Sequence, residues 1–182
     1  QLSMSLGAGE TTLLKLTAAY AMLVNGGKLI RPTLIDRIQN RNGKTVFKHD
    51  FRNCNECSAD YWDQQPVPII PDRRIQVADP SSVYQMVSML EGVVQRGTGR
   101  RMKSLGKPLA GKTGTTNGAL DTWFIGFAPD LAVGVFVGFD SPRSLGKKEQ
   151  GASVSAPIFK DFMKKALFDK PAIPFRIPPG IR

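Results

Sequence analysis

The chain has 182 residues, 41% of them hydrophobic and 22% charged, an ordinary balance for a globular chain that makes one domain or a large part of one. No apolar run approaches the ~20 residues of a membrane-spanning helix. The formal net charge of +10 comes from 25 basic and 15 acidic side chains. It suits a polyanionic surface, but the basic residues are scattered (Arg73-Arg74, Arg100-Arg101, Lys147-Lys148, Lys164-Lys165) without interleaved aromatics, so they read as a solvated surface and nucleic acid is not expected as a partner.

In chain order, Leu13, Leu16, Tyr20, Leu23 and Val24 recur at helical spacing and stop at Asn25-Gly26-Gly27, which predicts an amphipathic helix. Leu34 to Gln39 and Lys44 to Lys48 flank Asn42-Gly43, the turn pair of a β-hairpin. Residues 50–80 have no clear period and hold Pro66, Pro68, Pro71 and Pro80, an irregular stretch longer than most loops of compact domains. Cys54 and Cys57 lie there, separated by Asn55-Glu56. That spacing favours a local disulfide closing the loop, with free thiols, a redox couple or half of a metal site as the alternatives. Zinc is disfavoured, since a tetrahedral site needs further ligands and only His49, Asp50, Glu56 and Asp60 lie nearby. No metal is assigned. Val83, Met86, Val87, Leu90, Val93 and Val94, between Asp79-Pro80 and Gly97, predict a second amphipathic helix.

The stretch Leu109 to Thr116 carries two incompatible signatures. From Gly106 to Thr113 it satisfies the phosphate-loop pattern, a glycine, four residues, then Gly-Lys-Thr. That loop needs a buried apolar strand before it and a helix starting at its Lys-Thr. Here Arg100 to Leu105 is too charged for such a strand, and Gly114, Thr115, Thr116, Asn117 and Gly118 oppose a helix. From Lys112 the same letters give Lys-Thr-Gly, the strand motif of penicillin-sensitive serine enzymes. Thr113, Thr115 and Thr116 favour an extended backbone, and Gly111 and Gly114 remove side chains where a ligand could come close. An edge strand of this kind can take an extended peptide as a further strand, with hydroxyls and one ammonium to receive a carboxylate.

Asp121 to Ala128 and Leu131 to Phe139 are strand-like runs joined at Pro129-Asp130, a second hairpin. Val133, Val135, Val137 and Phe139 alternate with Ala132, Gly134, Phe136 and Gly138, leaving a low face on which a helix can pack closely. The helix that follows has an apolar stripe of Ile158, Phe159, Phe162, Met163, Ala166 and Leu167. Ser155 is placed to cap it, and Pro157 is tolerated in its first turn.

These motifs together resemble the C-terminal part of the transpeptidase domain of class A, bifunctional penicillin-binding proteins. The resemblance runs over nearly the whole chain: Ser5 to Leu14, Asn25-Gly26-Gly27, Leu90 to Val94 with Gly97-Thr98-Gly99, Ala110 to Asn117, Asp121 to Phe127, Gly138-Phe139-Asp140 and Ala156 to Phe159. It implies an α+β fold, an antiparallel sheet flanked by helices of the penicillin-binding-protein and serine β-lactamase type, incomplete in this chain. Residues 1–170 then form the C-terminal part of the domain, with 28–80 as hairpin and irregular insertion and 171–182 as an extended tail.

The implied activity is peptidoglycan D,D-transpeptidation. A serine attacks the carbonyl of D-Ala-D-Ala, releases the last D-alanine and passes the acyl group to an amine. The implied partners are peptidoglycan stem peptides, β-lactams and the upstream part of the same domain; no cofactor is implied. Such enzymes carry a serine three residues before a lysine and a Ser-x-Asn motif, both upstream of Lys-Thr-Gly. No Ser-x-Asn occurs in this chain. Ser104-x-x-Lys107 and Ser144-x-x-Lys147 are both rejected, the first as a glycine- and proline-containing loop, the second because it follows the triplet. The chain therefore reads as a fragment beginning after the nucleophile, inactive alone. Its first residue, Gln1, agrees with that. The intact protein is expected to be anchored at the periplasmic face of the bacterial inner membrane.

Carried over by the resemblance, Lys112 and Thr115 are the catalytic candidates. Lys112 sustains a positive potential in the cleft and contacts the absent serine, while the Thr115 amide forms part of the oxyanion hole. Thr113, Gly114, Thr115 and Thr116 are the substrate-binding candidates, the hydroxyls of Thr113 and Thr115 holding a terminal carboxylate. A phosphate-loop ATPase, a serine β-lactamase or carboxypeptidase, and a non-catalytic wall-binding module are the competing readings.

Overall fold

The structure, a computed structural model, describes residues 9–50, 52, 61, 64, 66 and 70–181. The chain forms two compact units, one of Gln1–Ile30 with Gln76–Arg182, the other of Arg31–Ile75. The smaller unit holds the first hairpin, strand β1 (Arg37–Gln39) antiparallel to β2 (Thr45–Lys48), with a register slip between Ile38 and Gln39. The Asn40 side chain ties the turn by accepting from the amides of Asn42 and Lys44, each at 3.0 Å. Gly43, at φ +77°, takes the left-handed conformation that the Asn-Gly pair supplies without strain. Cys54 and Cys57 lie outside the described residues.

Among the described residues, the larger unit contains three α-helices and a second sheet. Helix α1 (Leu13–Val24) is capped by Thr12, whose Oγ1 accepts from the Lys15 amide at 3.2 Å. Helix α2 (Pro80–Arg96) is capped by Asp79, whose carboxylate accepts from the Ser82 amide at 2.8 Å, with Pro80 where no amide is needed. A 3-10 segment over Arg100–Leu105 leads into β3 (Ala110–Thr115), followed by β4 (Asp121–Ala128), β5 (Leu131–Gly138) and helix α3 (Ser155–Ala166). The sheet runs β3-β4-β5, antiparallel throughout. The expected α+β architecture of antiparallel strands flanked by helices is borne out.

Strand period 2 divides β4 between two cores. Phe124 and Ala128 face Phe159, Met163 and Leu167 of α3 and its end, joined by Met102 and Leu109. The Phe124 and Phe159 rings stand 4.6 Å apart, and a Cβ on Gly126 would lie 2.8 Å from Phe159 Cζ. On the other face, Phe127 packs with Val87, Leu90, Ala110 and Phe175, with Tyr20 and Leu23 of α1 alongside. Phe175 reaches this core from the C-terminal segment and meets Phe127 edge to face at 5.6 Å.

The structure departs from two expectations. The low face of β5 receives α1 rather than α3: a Cβ on Gly134 would lie 2.1 Å from Thr17 Oγ1 and 2.8 Å from Leu13 Cδ1. Helix α3 packs on the opposite face, against Phe124 with Val133 and Val135 alongside. Ser155 is not a cap. It is the first residue of α3, no side chain caps that helix, and its buried hydroxyl lies 2.8 Å from that of Thr122. A hydroxyl buried against a sheet serves better by pairing with another buried hydroxyl than by competing with water at a helix end. Part of the apolar stripe of α3 also stays uncovered among the described residues, with Ile158 and Phe162 exposed while Phe159 and Met163 are buried.

Candidate active site

Among the described residues, β3 pairs on one side only, with β4. Its hydrogen-bonding direction follows from the turn. The Thr116 amide donates to the Asp121 carbonyl at 3.2 Å, one step beyond the Thr115↔Thr122 pair of the register. Bonded and non-bonded pairs alternate in an antiparallel ladder, so Gly114/Trp123 and Lys112/Ile125 are bonded pairs, while Thr113 and Thr115 direct amide and carbonyl away from β4. The Lys112 ammonium curls along the strand and donates to the Thr113 carbonyl at 2.8 Å.

The side chains alternate the other way. Thr113 and Thr115 stand opposite Phe124 and Thr122 on the α3 face, and Lys112 and Gly114 opposite Ile125 and Trp123. Lys112 and Thr115 are exposed, and Thr113 and Gly114 are half-buried. The free edge thus carries backbone donors and acceptors, one ammonium and two hydroxyls within four consecutive residues.

Neighbouring segments hold those hydroxyls. Thr113 Oγ1 lies 3.0 Å from Thr98 Oγ1. Thr115 Oγ1 accepts from the Gly151 amide at 3.0 Å. A Cβ on Gly151 would meet the carbonyl oxygens of Gly114 at 2.5 Å and Trp123 at 2.6 Å, so only glycine lets that loop lie flat on the β3–β4 ladder. The Thr116 hydroxyl closes the turn, accepting from the Asp121 amide at 3.0 Å and donating to its carbonyl at 3.3 Å. Beyond Thr115 opens a cleft of about 590 Å³ lined by Gly118, Ala119, Lys147 and Gln150 among others. Gly111 and Gly114 serve strand packing: a Cβ would lie 2.7 Å from the Ile125 carbonyl oxygen at Gly111 and 3.1 Å from Trp123 Cβ at Gly114. Their missing side chains make room for β4.

The competing motifs do not assemble. Lys112 sits inside a strand, and no helix starts at Lys112-Thr113, so the phosphate-loop geometry is missing. Ser104 belongs to the 3-10 segment and donates to the Arg101 carbonyl at 3.0 Å, while Lys107 donates to the Lys170 carbonyl. Ser144 accepts from the Gly146 amide at 3.2 Å in a loop. Neither serine opens an α-helix with its lysine one turn on. Among the described residues, no group of His, Cys, Asp and Glu is arranged to hold a metal ion.

A family model described as the penicillin binding protein transpeptidase domain matches residues 1–164. The chain belongs to this transpeptidase family. It is 47% identical over 182 residues to penicillin-binding protein 1A of Rickettsia bellii (strain RML369-C), an alignment covering 99% of this chain and 23% of that protein. Among solved structures, penicillin-binding protein 1A from Haemophilus influenzae superposes with a TM-score of 0.79 at 31% identity, over 98% of this chain and 30% of that one. The D,D-transpeptidase domain of a peptidoglycan glycosyltransferase from Eggerthella lenta superposes with a TM-score of 0.60 at 25% identity, over 90% and 33% of the two chains. The resemblance to class A penicillin-binding proteins and the fold it implied are borne out. This transpeptidase-family chain spans about a quarter of the length of the curated relative it matches.

Sequence reasoning about the site missed the partners of the hydroxyls. Thr98 precedes Thr113 by 15 positions and Gly151 follows Thr115 by 36, and no local pattern connects residues so far apart. The only local signal is the glycine content of Gly97-Thr98-Gly99 and of Gly151 itself, which marks tight backbone without naming what it touches.

Proposed function

We propose that this chain supplies the substrate-holding wall of a peptidoglycan D,D-transpeptidase working by serine acyl transfer, with the nucleophile on the part of the domain upstream of it. The observation that carries this reading is the free edge of β3, where Thr113 and Thr115 turn backbone amide and carbonyl outward beside the Lys112 ammonium and two tethered hydroxyls. A stem peptide ending in D-Ala-D-Ala adds to that edge as a short antiparallel strand. Its terminal carboxylate takes the hydroxyl protons of Thr113 and Thr115, and its scissile carbonyl comes within reach of the Thr115 amide.

In the reaction the upstream serine oxygen bonds to that carbonyl carbon as its proton leaves through a neighbouring base. The tetrahedral oxyanion is held by the Thr115 amide, and collapse breaks the bond to the last D-alanine, whose nitrogen takes a proton. An acceptor amine then repeats the sequence in reverse and frees the serine. Lys112 keeps the β3 edge positive for the anionic substrate and for proton transfer. Gly114 keeps the strand flat beside the acyl group, and Thr116 contributes through the turn it closes. β-Lactams enter as mimics of the same peptide. The intact protein is placed by this reading at the periplasmic face of the inner membrane, on an anchor outside this chain.

The test is labelling of the intact protein with a fluorescent penicillin. Wild type labels stably; Lys112→Ala labels slower by about two orders of magnitude, as expected when one preorganised charge-stabilising group costing ~3 kcal/mol of barrier is removed. This chain alone does not label. Equal labelling of Lys112→Ala and wild type overturns the assignment of β3, and rapid release of the label converts the reading to a β-lactamase.

A further inference from the structure

The carboxylate role of Thr113 depends on where its hydroxyl proton points. A hydroxyl carries one donor and two acceptor sites and rotates to suit its neighbours. On an open strand edge nothing in Lys-Thr-Gly itself sets that rotation.

We propose that Thr98 is a positioning residue for the substrate carboxylate, donating its hydroxyl proton to Thr113 Oγ1 so that the Thr113 proton is directed at the carboxylate. The inference rests on the reading of β3 as the carboxylate-holding wall. The two oxygens are 3.0 Å apart and either can donate. A carboxylate can only accept, so once it takes the Thr113 proton the link to Thr98 runs from Thr98 to Thr113. Each bond in such a chain polarises the next.

The backbone around Thr98 is built to hold it there. Beyond the end of α2, the amides of Gly97 and Gly99 both donate to the Val93 carbonyl, each at 3.0 Å. A Cβ on Gly97 would lie 2.9 Å from Val93 Cα, and one on Gly99 3.3 Å from the Val93 carbonyl oxygen, so a side chain at Gly97 would push the turn off the helix. The far side is tied as well, with Arg100 donating to the Gly97 carbonyl at 3.2 Å and Met102 to the Gly99 carbonyl at 3.0 Å. Met102 is fully buried in the core under α3. Thr98 stands at the crest of this double-tied turn as an exposed, β-branched side chain with restricted χ1.

The experiment compares acylation rates of the intact protein with benzylpenicillin, which has the carboxylate, and with its methyl ester, which has lost the charge. Thr98→Val keeps the shape and removes the hydroxyl; Thr98→Ser keeps the hydroxyl. Thr98→Val should slow acylation by benzylpenicillin about tenfold and change the ester rate by less than about twofold, while Thr98→Ser stays within about threefold of wild type on both, a tenfold loss corresponding to 1.36 kcal/mol. Thr98→Ala repeats the prediction should the valine disturb the turn. Wild-type rates for Thr98→Val on benzylpenicillin, or equal slowing of acid and ester, overturn the inference. Failure of the wild-type protein to be acylated by either compound overturns the transpeptidase reading beneath it, and is recognised before any variant is compared.

Discussion

Thr115 and Gly151 show how a single contact ties the proposed substrate wall to packing. The hydroxyl of Thr115 accepts from Gly151, which leaves its own proton as a donor for an anion. The same glycine lies so close to the Gly114 and Trp123 carbonyls that a methyl group cannot enter without moving backbone. Gly151→Ala is therefore expected to lift the loop from the strand and cost about 1–3 kcal/mol, the range of overpacked sites. It should lower both the melting temperature and the penicillin acylation rate of the intact protein. A melting curve and acylation rate equal to wild type would show that the loop yields without consequence. Lys112, Thr113 and Thr115 were legible as candidates because their residue types and order are chemical in themselves. Their partners were not, since a hydroxyl's neighbour across the fold leaves no mark on the residues beside it in sequence.

At the scale of elements, periodicity carried the reading well. The spacing of Leu13 to Val24 and of Val83 to Val94, closed by glycines, corresponds to α1 and α2, and the alternation of Asp121 to Phe139 to the β4–β5 hairpin. Helix ends were legible where residue types mark them, at Asp79-Pro80 and at the closing glycines. Asp79 caps α2 through the Ser82 amide, and that bond holds its carboxyl below the usual carboxylate range. A folded-state pKa below the unfolded one stabilises the fold above the ordinary carboxylate pKa, and the contribution is lost as pH falls through the lowered value. Asp79→Ala should thus melt at lower temperature than wild type at neutral pH, with the gap closing in acid; thermal denaturation followed from pH 7 into that range checks both sign and window. At Ser155 the same residue-type rule failed. Burial beside Thr122 gave its hydroxyl a better partner than a helix end exposed to water.

For the whole molecule, the two faces of one sheet set the order of layers. Phe159 is fully buried between Phe124 and the space left by Gly126, so Phe159→Ala should cost about 3–5 kcal/mol through lost burial and a residual cavity. Chemical denaturation of the intact protein would read this, and a loss under about 1 kcal/mol would mean that α3 is not the clamp on this face. Strands, helices and the Lys-Thr-Gly edge could be read from the letters because each rests on short-range rules, spacing, turn chemistry and the steric limits of glycine and proline, while the fold class followed from the family resemblance that those motifs carry. Which helix covers which face, which hydroxyls meet and which side of β3 stays open depend on contacts between segments distant in the chain. Those contacts are settled by shape and by the satisfaction of buried polar groups in three dimensions, where alternation along a strand is silent.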